Sequence, residues 1–268
     1  MSVALEQKQG LIAGDGLLPV KMAQYAKENG FDVVAISLSN DNYSQLKKYC
    51  SKVYSFCPGE VQKIEDTLKA EGIKQITFLG KVSKTILLKR PKFDARAIEF
   101  MKKAIRLNDD KVMLMIIEEL EKIGVTILDQ TLFIKNLMIP SGILGKVQPT
   151  QEQIDDVNYG YWLAKETGKL DIGQSVVIKD KMIMAGEGTD KCIKRGCKIA
   201  KKNSRVIKVA KPSQDKRFDI PAIGLRTLKT LHKYKGDLIA VEAGETIIVD
   251  REDVIKYANK HNIVIMAV

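Results

Sequence analysis

Phe31-Asp-Val-Val-Ala-Ile-Ser-Leu38 decides the fold class. It is a short apolar run of strand length, and three similar runs surround it: Leu11-Ile-Ala13, Lys52-Val-Tyr-Ser-Phe56 and Ile73-Lys-Gln-Ile-Thr-Phe-Leu79. Helix-like segments near 19–29, 42–49 and 60–71 separate the four, so the pattern alternates strand and helix. Such βαβ alternation predicts a largely parallel sheet with helices on its faces and ligands beyond the carboxyl ends of the strands. Two more helices, near 94–106 and 109–123, and a strand over Val125–Leu128 complete a Rossmann-like α/β domain expected over residues 1–136.

The texture then changes. Between Leu137 and Pro149 the residues Pro140, Gly142, Gly145 and Pro149 interrupt regular structure, and a linker is expected over 137–149. Thr150-Gln-Glu-Gln153 has capping-box form, and Ile154, Val157, Tyr161 and Ala164 continue at helical spacing to Gly168. A C-terminal mixed α/β domain, 150–268, follows from this helix. It holds a hairpin of Ser175–Lys179 and Met182–Ala185 turning at Asp180-Lys181, a helix over 189–202 and a strand Val206–Ala210. A helix near 223–234, strands near 237–242 and 246–249, a helix near 251–260 and a strand over 263–268 end the chain.

A length of 268 residues favours two domains at ~150 residues each, and 45% hydrophobic content gives both a core. The formal net charge is +11, and from Lys191 to Arg217 there are eleven Lys or Arg against one acid, Asp215. The positive field therefore belongs largely to one region, which suits nucleic acid, an anionic membrane face or a polyphosphate ligand. Four cysteines without paired ligand spacing fit a reducing cytoplasm. The longest apolar run, Val112–Ile117, is far short of the ~18 residues of a membrane span. Only two histidines are present, His232 and His261, without a Cys or His at ligand spacing, which argues against a zinc site or a Ser-His triad. A hydrolase built on this chain works through carboxylates and metal.

The densest chemistry lies in Lys211-Pro-Ser-Gln-Asp-Lys-Arg-Phe-Asp-Ile-Pro-Ala-Ile-Gly224. Pro212 and Pro221 restrict the backbone, so Asp215 and Asp219 can be held for a hard divalent cation, while Lys211, Lys216 and Arg217 suit an anionic, phosphate-bearing ligand. The plain alternative is a solvated loop whose ion pairs are worth at most about 1 kcal/mol each. Gly10-Leu-Ile-Ala-Gly14-Asp15-Gly16 is a strand-to-helix turn where Gly14 and Gly16 would let backbone N–H groups approach a phosphate, or simply a tight turn. Gly186-Glu187-Gly188-Thr189-Asp190 offers Thr189 as a helix N-cap with donors, a hydroxyl and a carboxylate together, or an ordinary cap. Glu242-Ala-Gly-Glu245, after a strand, reads as a turn. The Lys191–Lys202 helix carries a basic stripe beside an apolar one, with no interleaved aromatics to stack on single strands. Taken by themselves, these features fit an enzyme, a non-catalytic nucleotide-binding module or a basic RNA-binding protein.

In order along nearly the whole chain, the Gly10 turn with Leu18-Pro19, Gly80-Lys81-Val82, Leu170–Ile178, Glu187-Gly-Thr-Asp190, Lys211–Gly224 and Ala240-Val-Glu-Ala-Gly244 resemble the motifs of the LpxI family, the UDP-2,3-diacylglucosamine pyrophosphatases of lipid A biosynthesis. The resemblance implies cleavage of the diphosphate of UDP-2,3-diacylglucosamine to UMP and 2,3-diacylglucosamine 1-phosphate (lipid X), dependence on Mg2+ (or Mn2+), and a homodimer. It places the catalytic carboxylate on Asp215 or Asp219, with Asp215 favoured, and metal contact on Asp215, Asp190 and Glu187. Substrate contacts fall on Gly14, Gly16, Lys81, Gly188, Thr189, Lys211, Gln214 and Arg217. A lipid-bearing substrate further implies a cytoplasmic enzyme peripheral on the anionic inner membrane, with no nucleic-acid partner. Asp15 and Leu17 depart from the family's turn, where Gly and a polar or basic residue are common.

Overall fold

β-Strand 1 (β1, Lys8–Ala13), helix α1 (Leu18–Glu28) and β2 (Asp32–Ser37) form the first βαβ unit, as the apolar runs require. The computed structural model describes residues 4–39, 41–82, 93–104, 109–187 and 189–268, which group into two compact units. One comprises Met1–Ile134 with Lys216–Phe218, the other Lys135–Asp215 with Asp219–Val268.

In the first unit, α2 (Tyr43–Leu46), β3 (Lys52–Ser55), α3 (Val61–Ala70), β4 (Gln75–Leu79), α4 (Ala95–Ala104), α5 (Asp109–Lys122) and β5 (Thr126–Ile127) follow in order. The sheet runs β3-β2-β1-β4-β5, and every pairing in it is parallel. Strand order reverses beside β1, so the chain leaves β1 and β4 in the crevice where doubly wound sheets take ligands. Val34 and Ile36 pack with Ile12, Ile76, Leu68 of α3, and Ile117 and Leu120 of α5. The hydrophobic faces of these helices thus cover one side of the sheet, and the removal of apolar surface from water holds them there.

The second unit contains β6 (Gly142–Leu144), α6 (Gln151–Lys169), β7 (Ser175–Lys179), β8 (Met182–Glu187), α7 (Thr189–Ala200), β9 (Arg205–Lys208), β10 (Ala222–Ile223), α8 (Leu225–Lys233), β11 (Leu238–Val241), β12 (Ile247–Ile248), α9 (Arg251–Lys260) and β13 (Val264–Ala267). Its main sheet runs β6-β13-β11-β9-β7-β8, with β9, β11 and β13 parallel and the outer strands antiparallel; β10 and β12 form a separate parallel pair. Alternate residues face opposite layers. Val176, Ile178, Ile207, Leu238, Ala240 and Val264 pack with Val157 and Ala164 of α6. Val177, Val206, Ile239, Val241 and Ile265 pack with α7, α8 and α9 through Cys192, Ile193, Leu228, Leu231 and Val254.

Sequence signals explain the local geometry. Thr150 caps α6 by accepting from the Gln153 N–H at 3.2 Å, and Gln153 reciprocates at 2.9 Å, the capping box expected. Asp180 and Lys181 both take positive φ, 51° and 56°, as a tight hairpin needs, and the buried Asp156 carboxylate holds their N–H groups at 3.1 and 2.7 Å. The stretch expected as a linker, 137–149, differs in one respect: Gly142–Leu144 forms strand β6, antiparallel to β13. Gly142 and Gly145 occupy positive φ, 122° and 96°, so the glycines flank and admit the strand rather than dissolve it.

Candidate active site

The first sheet brings two of the sequence motifs together at its carboxyl edge. The Gly14 N–H donates to the Leu79 carbonyl at 2.8 Å, and Asp15 and Lys81 exchange backbone bonds of 2.7 and 3.1 Å, so the turn after β1 and the turn after β4 form one bridge. A Cβ on Gly14 would lie 2.6 Å from the Lys81 carbonyl oxygen, and one on Gly80, whose φ is +88°, 2.7 Å from the Asp15 carbonyl oxygen. Both glycines are therefore needed for backbone-to-backbone approach. The Gly14 and Asp15 N–H groups close this bridge; Gly16, with φ +100°, leads into α1. The Asp15 carboxylate accepts a short hydrogen bond from the Ser39 hydroxyl. Buried Asn42 donates to the carbonyls of Gly14 (2.6 Å) and Gly16 (3.2 Å), fixing the turn. Ser39 and Asn42 were not singled out in the sequence, because their partners lie 24 to 28 positions away.

In the second unit, β7 and β9 place Ser175 opposite Lys208. Thr189 is the first residue of α7, with its hydroxyl 3.0 Å from that of Ser175, so one sheet edge carries both the start of α7 and the strand that leads into Lys211–Gly224. Asp190, in the first turn of α7, pairs with Arg226 of α8 at 3.1 Å. The Glu187 side chain and Gly188, expected as a metal ligand and a substrate contact, lie outside the described residues.

The segment after β9 is closed by Gln214. Its Oε1 accepts the Lys211 N–H at 2.8 Å, and its Nε2 donates to both the carbonyl and the carboxylate of Asp219 through short bonds. The Asp219 N–H in turn donates to the Asp215 carbonyl at 3.0 Å. Both acids thus sit on one short closed loop. Lys211 reaches Asp171 at 2.7 Å. Lys216–Phe218 count with the first unit: the Lys216 carbonyl accepts from the Gln130 N–H at 2.9 Å, Arg217 lies 3.5 Å from Glu121, and Phe218 joins the cluster of Ile12 and Val34. Below the loop, Glu242, expected only as part of a turn, accepts hydrogen bonds from the Ala210 N–H, Lys165 and Tyr161. Burial and the Glu242 carboxylate push the Tyr161 hydroxyl up to about 12.

The donor set bears on the metal that the resemblance implies. Asp215, Asp219 and Asp190 offer hard carboxylate oxygens, and among the described residues no three His, Cys, Asp or Glu converge into a cage. Carboxylates of this kind could hold Mg2+, which commonly takes one or two of them and completes its shell with water and substrate phosphate.

Two family models divide the chain between them: the LpxI N-terminal domain matches residues 8–137 and the LpxI C-terminal domain residues 140–266. The chain belongs to the LpxI family. A curated LpxI relative from Caulobacter vibrioides (strain ATCC 19089 / CIP 103742 / CB 15), the UDP-2,3-diacylglucosamine pyrophosphatase LpxI, is 32% identical, covering 98% of each chain. Among solved structures, an ADP complex of N5-carboxyaminoimidazole ribonucleotide synthetase is 16% identical with a TM-score of 0.28, over 68% of this LpxI-family chain and 38% of the other. The same enzyme from Thermotoga maritima is 17% identical with a TM-score of 0.25, over 68% of this chain and 39% of its own. At those scores neither likeness contributes to the functional argument.

Proposed function

We propose that this chain is a hydrolase that cleaves the diphosphate bond of UDP-2,3-diacylglucosamine, releasing UMP and 2,3-diacylglucosamine 1-phosphate, in lipid A biosynthesis. The observation that carries the reading is end-to-end similarity, at 32% identity, to a protein named for that activity. The closed Gln214–Asp219 loop supports it, because it carries two acidic residues on one short turn within a strongly cationic segment.

The chemistry needs negative charge neutralised on the diphosphate and a water oriented for in-line attack on phosphorus. Asp215 is the carboxylate for that work, with Asp219 tied to Gln214 as its structural companion. Lys211 and Thr189 are the substrate-contact candidates of the second unit, and Arg217 and Lys81 with the Gly14–Gly16 turn are those of the first. Mg2+ (or Mn2+), held by Asp215 with Asp190 or Glu187, would supply Lewis-acid polarisation of the phosphoryl oxygens. A homodimer working at the anionic inner face of the membrane belongs to the same proposal. Exposed lysines around Ile199 at the end of α7 support the membrane part.

The test is release of UMP from UDP-2,3-diacylglucosamine by the purified chain, with Mg2+ and after chelation. Turnover that depends on Mg2+, and is lost in Asp215→Ala with substrate binding retained, is the expected result. Near-normal turnover in Asp215→Ala overturns the residue assignment. Absence of turnover by the unmodified chain overturns the function and leaves a nucleotide-binding module.

A further inference from the structure

Ala210 is the last residue before the Lys211–Gly224 segment, and its backbone is bound by two side chains distant in sequence. The Glu242 Oε2, at the carboxyl end of β11, accepts the Ala210 N–H at 2.8 Å. Lys165 of α6 donates its Nζ to the Ala210 carbonyl at 3.0 Å and to the same Glu242 Oε2 at 2.7 Å. The Tyr161 hydroxyl, one helical turn before Lys165, donates to Glu242 Oε1 at 3.0 Å. Lys165 and Glu242 are only 24% and 14% exposed, so bulk water competes poorly for these bonds.

From this geometry we propose that Glu242 and Lys165 are positioning residues for the loop that carries Asp215. The inference deepens the hydrolase reading and rests on it for its catalytic meaning. The hydrogen-bond path is continuous. Glu242 and Lys165 fix Ala210, the next residue's N–H goes to Gln214 Oε1, and Gln214 Nε2 reaches Asp219, whose N–H returns to the Asp215 carbonyl. The Ala210–Asp215 arm of the loop therefore takes its position from α6 and β11, two elements of the second unit's packed sheet and helix layers. Coulombic stabilisation of the fold is a weaker account of the same residues. A largely buried ion pair comes out near neutral in stability against apolar replacements, and this one is aimed at both backbone groups of a single residue. Tyr161 keeps its proton through the neutral range and remains a donor to Glu242.

Three variants test this: Glu242→Ala, Glu242→Gln and Lys165→Met, read by steady-state kinetics on UDP-2,3-diacylglucosamine, thermal melting and amide hydrogen exchange across 210–219. Glu242→Ala is expected to lower kcat by roughly 10- to 100-fold through misplacement of the loop, leave KM within about threefold, and speed exchange at Ala210 and through the loop. Glu242→Gln keeps an acceptor for the Ala210 N–H and is expected to recover most of kcat. Lys165→Met, which removes the bond to the Ala210 carbonyl, is expected to lower kcat as Glu242→Ala does, and it stands in should that variant fail to fold. Wild-type kcat and unchanged loop exchange in Glu242→Ala overturn the proposal. So does a Glu242→Gln variant as slow as Glu242→Ala. An unmodified chain without hydrolase activity, but with loop exchange that responds to Glu242, overturns the catalytic reading alone and leaves the anchor standing.

Discussion

At the scale of single residues, the arrangement turns on groups that hold others. Gln214 has three jobs at once, one for each hydrogen bond its amide makes to Lys211 and Asp219. Gln214→Ala is therefore expected to slow turnover by about 10²-fold through misplacement of the Asp215 loop, with a melting temperature close to that of the unmodified chain; kinetics and calorimetry on the same preparation check it. Gly80 makes the converse case. Its φ of +88° and the 2.7 Å approach of a Cβ to the Asp15 carbonyl mean that Gly80→Ala is expected to destabilise the first unit by at least ~1–3 kcal/mol, the range for a strained backbone residue. Chemical denaturation measures this. Asp215, Asp219 and Gln214 fall within one short motif, so the loop they share was legible in the sequence. The bonds of Tyr161 and Lys165 to Glu242 were not, because they span 81 and 77 positions and no local spacing marks such pairs.

At the scale of elements, apolar runs gave most strands and helices, since burial on one or both faces leaves its period in the sequence. The capping box at Thr150 and the Asp180-Lys181 turn were legible for the same local reason. Strand β6, with three residues, and β10, with two, are too short to show a period, and their pairing depends on distant partners. Packing between elements was likewise hidden. A Cβ on Gly196 of α7 would sit 2.5 Å from the Val177 Cβ of β7, so Gly196→Ala is expected to force α7 off the sheet and cost about 1–3 kcal/mol by overpacking, despite alanine's better helix propensity. Acid stability has an element-level origin too. Glu71, at the end of α3, accepts from Lys52 and Tyr54 of β3 and Lys8 of β1, and these bonds hold its carboxyl down from 4.5 to about 2. The folded chain thus takes up this proton less readily than the unfolded one. The stabilisation is complete above pH 4.5 and is lost as pH falls toward 2, so Glu71→Gln is expected to flatten the acid limb of the stability curve over that window. Denaturant titrations at stepped pH decide it.

At the scale of the whole molecule, alternation of strands and helices announced α/β architecture, and the parallel pairing throughout the first sheet follows from it, whereas its order β3-β2-β1-β4-β5 does not. The second unit's mixed sheet was less legible, because antiparallel outer strands and a parallel centre are chosen by packing rather than by local pattern. Charge distribution is the property of the molecule that composition displayed most directly: eleven of 44 Lys and Arg lie between Lys191 and Arg217. In the structure Lys194, Lys198, Lys201 and Lys202 are exposed around Ile199, itself 58% exposed. Lys179 at the end of β7 donates to the Ala200 carbonyl at 3.2 Å, which brings the β7–β8 hairpin and its exposed Met182 (57%) to the same end of α7. Apolar tips among cations match an anionic lipid surface, where each cation contributes about 1 kcal/mol. Replacing Lys198, Lys201 and Lys202 together by Gln is therefore expected to weaken binding to phosphatidylserine-containing vesicles by roughly a hundredfold, with turnover of detergent-dispersed substrate unchanged. Co-sedimentation at rising salt is the check: binding by the unmodified chain should fall as the Debye length shrinks from ~10 Å at 0.1 M to ~3 Å at 1 M, and binding indifferent to both salt and lipid charge would remove this face from the membrane.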